Sequence, residues 1–63
     1  MSTTTEQLLE AFATWQSEDE KFSVKGNGAA GTRARKALQE IAKLVKTRRG
    51  EISEEKTARK AAA

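Results

Sequence analysis

Ala34-Arg35-Lys36-Ala37-Leu38-Gln39-Glu40-Ile41-Ala42-Lys43-Leu44-Val45-Lys46 is the stretch on which the reading of this chain turns. Its apolar positions Ala34, Leu38, Ile41 and Val45, continued by Ile52, step by four and three residues, with Arg48 on the one missing step. That is the period of an amphipathic helix. Ala37 and Leu44 flank the stripe and widen it to a core-sized face. At roughly 100° per residue, Arg35, Lys36, Lys43 and Lys46 fall on the opposite arc. Arg33 and Arg49 lie at its margins. One side of the helix is apolar and the other is positively charged.

Working toward the N-terminus, Asn27 is a suitable N-cap for this helix, and Gly26 suits a left-handed position that closes an earlier one. The earlier helix has its own start signal. Thr3-Thr4-Thr5-Glu6 fits a capping box with Thr3 as N-cap and Glu6 at N3. Leu8, Phe12, Trp15 and Phe22 follow at helical spacing, with Asp19 as a polar gap in the stripe. Glu6 and Glu10 sit near the positive end of the helix dipole, which favours them. The helix is expected to end near Val24.

Working toward the C-terminus, Gly50 costs about 1 kcal/mol relative to Ala inside a helix. The helix is expected to pass through it, supported by an i,i+4 pair of Glu55 and Arg59. The apolar stripe stops at Ile52, so the basic, alanine-rich residues 54–63 are expected to fray. No segment reads as a strand.

The expected fold is therefore all-α: one domain over residues 1–63, an antiparallel hairpin of helices at about 3–25 and 28–58. Phe22 is expected near Ala34 and Trp15 near Ile41. A single hairpin buries one stripe per helix, which is little apolar area against the entropy of ordering the chain. Pairing of two copies into a four-helix arrangement is the simplest remedy. Leu8, Phe12, Trp15, Phe22, Leu38, Ile41, Val45 and Ile52 are the expected core and dimer residues.

Composition narrows the function. The chain has 63 residues and neither cysteine nor histidine, which removes disulfides, thiolate chemistry and the common zinc sites. No apolar run is long enough to span a membrane. The N-terminal residues lack the basic-then-apolar order of a signal peptide, so the interior of a cell, or of a virus-infected cell, is the expected address. Charge is blocked. Residues 1–20 hold five acids and no base, residues 21–50 hold nine bases and Glu40, and residues 51–63 balance. A central block this basic points to a polyanionic partner, nucleic acid before membrane.

Several motifs carry less than their pattern suggests. Gly26-Asn27-Gly28-Ala29-Ala30-Gly31 matches G-x-G-x-x-G, but the dinucleotide site needs a preceding strand and a βαβ unit that this chain has no room for. The small residues instead make a hinge whose helix start, near Lys25, Arg33 and Arg35, could meet a phosphate. Glu18-Asp19-Glu20 lacks the spacing of a calcium loop and has no general-base partner. It reads as a solvated acidic patch or as counter-charge to Arg35 and Lys36. Trp15 could stack on a base, but its place on the apolar stripe makes it core. Catalytic residues, metal, cofactor, small-molecule substrate and membrane partner are all expected to be absent.

The stretch from Phe22 to Arg49 resembles the core of the bacterial linker-histone-like proteins, the chlamydial Hc-type family. The likeness rests on Lys25-Gly26-Asn27, the small-residue run Gly28 to Gly31, and Arg33-Ala34-Arg35-Lys36 leading into a Lys-rich amphipathic helix. It covers roughly residues 8–53. The resemblance implies sequence-independent binding of double-stranded DNA and compaction of the nucleoid. Lys25, Arg33, Arg35, Lys36, Lys43 and Lys46 would then be phosphate-facing bases, with Arg49 beside them. Chlamydial members follow this core with a long Lys/Ala/Pro-rich tail, of which only Lys56, Arg59 and Lys60 have a counterpart here. The resemblance thus favours bridging by a dimer over condensation by one subunit. A helical protein-interaction module without nucleic-acid binding is the alternative, and an RNA-binding accessory a further one.

Overall fold

The computed structural model describes residues 2–62 and contains two helices, α1 (Thr3–Ser23) and α2 (Gly28–Ala62). They pack side by side as an antiparallel hairpin. Three contacts between the helices set the register: Thr4 with Glu51, Glu18 with Arg33, and Phe22 with Gly31. No strand occurs among the described residues.

The start of α1 lies one residue earlier than the capping-box reading placed it. Ser2, not Thr3, is the N-cap, and its hydroxyl accepts from the Thr5 N–H at 3.1 Å. Thr5 therefore takes the N3 place assigned to Glu6. Either hydroxyl can serve a helix start, and Ser2 wins because its extended backbone leaves Thr4 free to turn inward onto α2. At the other end, α1 stops at Ser23 with Val24 as C-cap. Gly26 has φ +68°, the left-handed backbone that glycine adopts without a Cβ penalty. Its N–H bonds the Phe22 carbonyl and the Asn27 N–H bonds the Lys21 carbonyl, both at 3.1 Å. This nested pair is the usual glycine closure of a helix, opened by one residue. Asn27 then caps α2 through Oδ1, which accepts from the Ala30 N–H at 3.3 Å. The hinge is thus one continuous exchange of helix-end hydrogen bonds.

α2 runs straight through Gly50 and ends four residues beyond the expected 58, at Ala62. With a rise of about 1.5 Å per residue, 35 residues span about 52 Å. This matches the 54 Å long axis of the molecule. Because α1 begins opposite Glu51, the last part of α2 extends past the hairpin as a single helix.

The buried seam is rotated from the expected stripe. On α2 it consists of Ala30, Ala34, Ala37, Ile41 and Leu44. Half-buried Arg48 and Glu51 continue the same four–three step. On α1, buried Thr4 and half-buried Leu8, Ala11, Trp15 and Glu18 face it. The small side chains of Ala30, Ala34 and Ala37 let the helix axes approach closely. The larger Leu38, Val45 and Ile52, each seven residues from the next, are left beside the seam and more than two-fifths exposed. Gly31 marks the tightest point: a Cβ there would lie 2.6 Å from the Phe22 ring. Trp15 packs edge-on against Phe12, with ring centroids 6.5 Å apart. Its indole N–H is buried without a hydrogen-bond partner among the described residues.

Candidate nucleic-acid interface

The backbone of α2 places the cations. Its seam is held against α1 by alanine, Ile41 and Leu44, so whatever lies roughly 115–165° around the helix must face away from α1. Arg35, Lys36, Lys43 and Lys46 occupy that arc, and all four are exposed. From Arg35 to Lys46 the row is about 17 Å long at helical rise. Among the described residues, none of the four has a carboxylate within ion-pair distance. Arg49, also exposed and without an ion pair, borders the same arc. Lys25 is exposed in the hinge, ahead of the first residue of α2.

Arg33 stands apart from the others. Its Nε lies 2.8 Å from Glu18 Oε2, and Lys21 approaches the other oxygen of Glu18 at 3.6 Å. The hydrogen bond from Arg33, more than the cationic field, holds the Glu18 carboxyl below its ordinary value of 4.5. Counter-charge from the Glu18-Asp19-Glu20 run thus goes to Arg33, whereas the sequence pattern suggested Arg35 and Lys36. The reason is geometric. Glu18 and Arg33 lie where the two helices meet, while Arg35 and Lys36 lie beyond its reach around the helix.

A second polar cluster was not legible as a unit. Near the N-terminus of α1, the Thr4 hydroxyl donates to Glu51 Oε2 at 2.7 Å. Arg48 donates to Glu51 Oε1 at 3.0 Å and to Glu55 Oε2 at 3.4 Å. The hydroxyl of Thr4, followed by the guanidinium of Arg48, lowers the Glu51 carboxyl below 4.5. Glu55 therefore turns back to Arg48 instead of forming the expected pair with Arg59. The signal that finds this cluster is the four–three step itself, since Arg48 and Glu51 are the next two positions of the buried seam. These residues join the open end of the hairpin, with two carboxylates against one guanidinium.

The remaining expected core residues divide by exposure. Ile41 is buried, Leu8 and Trp15 are half-buried, and Phe12, Phe22, Leu38, Val45 and Ile52 keep 42–50% of their surface open. The open ones share one broad side of the hairpin. A groove on that side is lined by Asp19, Phe22, Gly31, Ala34, Arg35 and Leu38. Val45 and Ile52 follow Leu38, and Phe12 precedes Asp19, at seven-residue steps. The opposite broad side is polar, with Thr14, Glu18, Arg33, Lys36 and Glu40 around its groove.

Among the described residues, no grouping of Asp or Glu could hold a metal ion, and neither helix is long and apolar enough to cross a membrane. What the arrangement offers is a row of cations along one helix, unpaired among the described residues and suited to phosphate contacts. No match was found among curated proteins or among solved structures. The family model of the histone H1-like protein Hc1, however, matches residues 2–58, and the chain belongs to that family.

Proposed function

We propose that this protein binds double-stranded DNA without sequence preference and helps to compact or bridge it in the nucleoid. Membership in a histone H1-like family suggests a DNA-binding nucleoid protein, a structural role with no sign of catalysis. The observation that carries the finer reading is the row Arg35, Lys36, Lys43 and Lys46, exposed and unpaired along the outer arc of α2. A duplex presents one negative charge per about 1.7 Å of its axis, so a row of this length lies against several phosphates. Lys25 and Arg49 extend the contact at either end. Arg33 joins it by exchanging Glu18 for a phosphate.

The working unit is a dimer of hairpins. The side that carries Phe12, Phe22, Leu38, Val45 and Ile52 is too apolar to remain in water when its removal would supply the stabilisation that a two-helix fold lacks. Gel-shift titration across salt concentrations tests the DNA reading. If six phosphates are neutralised, log K falls against log salt with a slope of about −5. Binding that ignores salt, or is absent at low salt, removes the proposal in favour of a protein-interaction module. Structured RNA that outcompetes duplex DNA of equal length would redirect it to RNA.

A further inference from the structure

The hairpin is two-sided in shape and two-signed in charge, and together these restrict how a second copy can cover its apolar side. α1 carries five acids against Lys21, a net −4, whereas α2 carries ten bases against four acids, a net +6. Both helices contribute to the exposed apolar side, Phe12 and Phe22 from α1 and Leu38, Val45 and Ile52 from α2. Two such sides can meet by two-fold symmetry in two ways. An axis running across the helices stacks α2 on α2 and α1 on α1, with like charge on like. An axis running along the helices stacks each α2 on the α1 of the other copy, with opposite charges facing.

We infer that two hairpins stack through this side about an axis parallel to the helices, so that their basic arcs lie on opposite edges and one dimer holds two duplexes. This rests on the DNA-binding dimer proposed above and adds its arrangement. A lengthwise axis keeps every residue at its own height. The Glu18–Arg33 and Phe22–Gly31 contacts put Asp19 opposite residues 32–33, so Arg35, which lines the same groove, lies within one turn of its height. The operation therefore brings Asp19 of the second copy within about one turn of Arg35, twice in the dimer. Phe12 likewise comes between Leu38 and Val45 of the other copy, since the Thr4–Glu51 and Glu18–Arg33 contacts place residues near 41 opposite Phe12. A crosswise axis instead sets two strongly positive helices about 8–10 Å apart, close to one Debye length at physiological salt. Lys36, Lys43 and Lys46 project from the edge of the hairpin away from α1, while Arg35 is engaged at the stacked side. Lengthwise stacking puts the two α2 helices on diagonal corners, and the two rows then point in opposite directions.

The absence of cysteine makes the test direct. Phe12→Cys, Leu38→Cys and Val45→Cys are prepared as separate full-length variants and oxidised alone, and Phe12→Cys is also oxidised mixed with each of the other two. A disulfide forms only where Cα atoms come within about 7 Å. The expected result is a covalent dimer from a mixture and little from any variant alone. Crosslinking of Leu38→Cys or Val45→Cys alone, or no crosslinking from either mixture in a species that light scattering shows to be dimeric, overturns the arrangement. A monomeric mass overturns the dimer itself. The locked dimer is then added to bead-bound duplex and offered a second, labelled duplex. Retention of the label, lost at high salt, is expected. A locked dimer that shifts DNA but retains no second duplex overturns the two-edge geometry. A locked dimer that shifts no DNA instead removes the DNA-binding reading, while the crosslink still reports the arrangement.

Discussion

The two broad sides of the hairpin face the same solvent and are made of different chemistry. One shows Phe12, Phe22, Leu38, Val45 and Ile52; the other shows Thr14, Arg33, Lys36 and Glu40 with Glu18 in their midst. On the polar side part of the charge is paired within the chain, since Glu18 engages Arg33 and Lys21. On the apolar side nothing within the chain balances what is exposed. The contrast teaches that the inner seam is not where this fold stores most of its apolar potential. The seam is built of alanine, Ile41 and Leu44, and alanine buries little area per residue. The large side chains sit one step round the helix and await a neighbour.

Breaking the contrast by making the apolar side polar is expected to have the largest effect. Leu38→Glu combined with Val45→Glu sets two carboxylates where a second copy would bury them. Each unpaired buried charge costs several kcal/mol, so circular dichroism and light scattering are expected to show a monomer with most of its helix lost at micromolar concentration. Thr14→Glu on the polar side, near Arg33 and Lys36, is the control and should leave mass and helicity unchanged.

Next in size is the hinge that holds both sides in register. Gly26→Ala forces a residue with a Cβ into φ +68° and is expected to cost about 1–2 kcal/mol, read as a fall in Tm. Gly50→Ala should act in the opposite direction. A Cβ at Gly50 meets no atom within 4 Å, and its backbone is helical, so a gain of about 1 kcal/mol is expected in urea denaturation.

The smallest effects belong to the polar side. The carboxyls of Glu18 and Glu51 are held below 4.5, Glu18 chiefly by Arg33 and Glu51 chiefly by Thr4. A carboxyl whose folded value is lowered adds stability that is fully present above its unfolded value and is lost as pH falls through the folded one. Stability should therefore be flat near neutrality and decline below about pH 4.5. Glu18→Gln is expected to remove part of that decline. It should also strengthen DNA binding a few-fold in gel-shift titration, because Arg33 is released and a negative charge near the row disappears.

Much of this was written in the residues. The four–three steps from Ala34 onward and from Leu8 to Trp15 required two amphipathic helices, and Gly26-Asn27 required a turn between them. Asn27 caps α2 and Gly26 is left-handed, as their chemistry demands. The cationic arc followed from periodicity alone, because 3.6 residues per turn sends Arg35, Lys36, Lys43 and Lys46 away from any face that holds Ala34, Ala37 and Ile41.

What the residues did not state was which of two neighbouring stripes on α2 would meet α1. A sequence shows that Leu38 and Val45 are more apolar than Ala30 and Ala37, and so ranks them as core. Only the packed pair shows that close approach is worth more than side-chain size, with alanine inside and leucine beside it. The same packing decided that Glu18 would reach Arg33 and that Thr4, Glu51 and Arg48 would join. These contacts link residues 15 and 47 positions apart, and no local period encodes a distance of that kind. Local geometry thus settled the helices and the direction of the charge. The choice of faces depended on how closely two backbones can approach, which is a property of the pair.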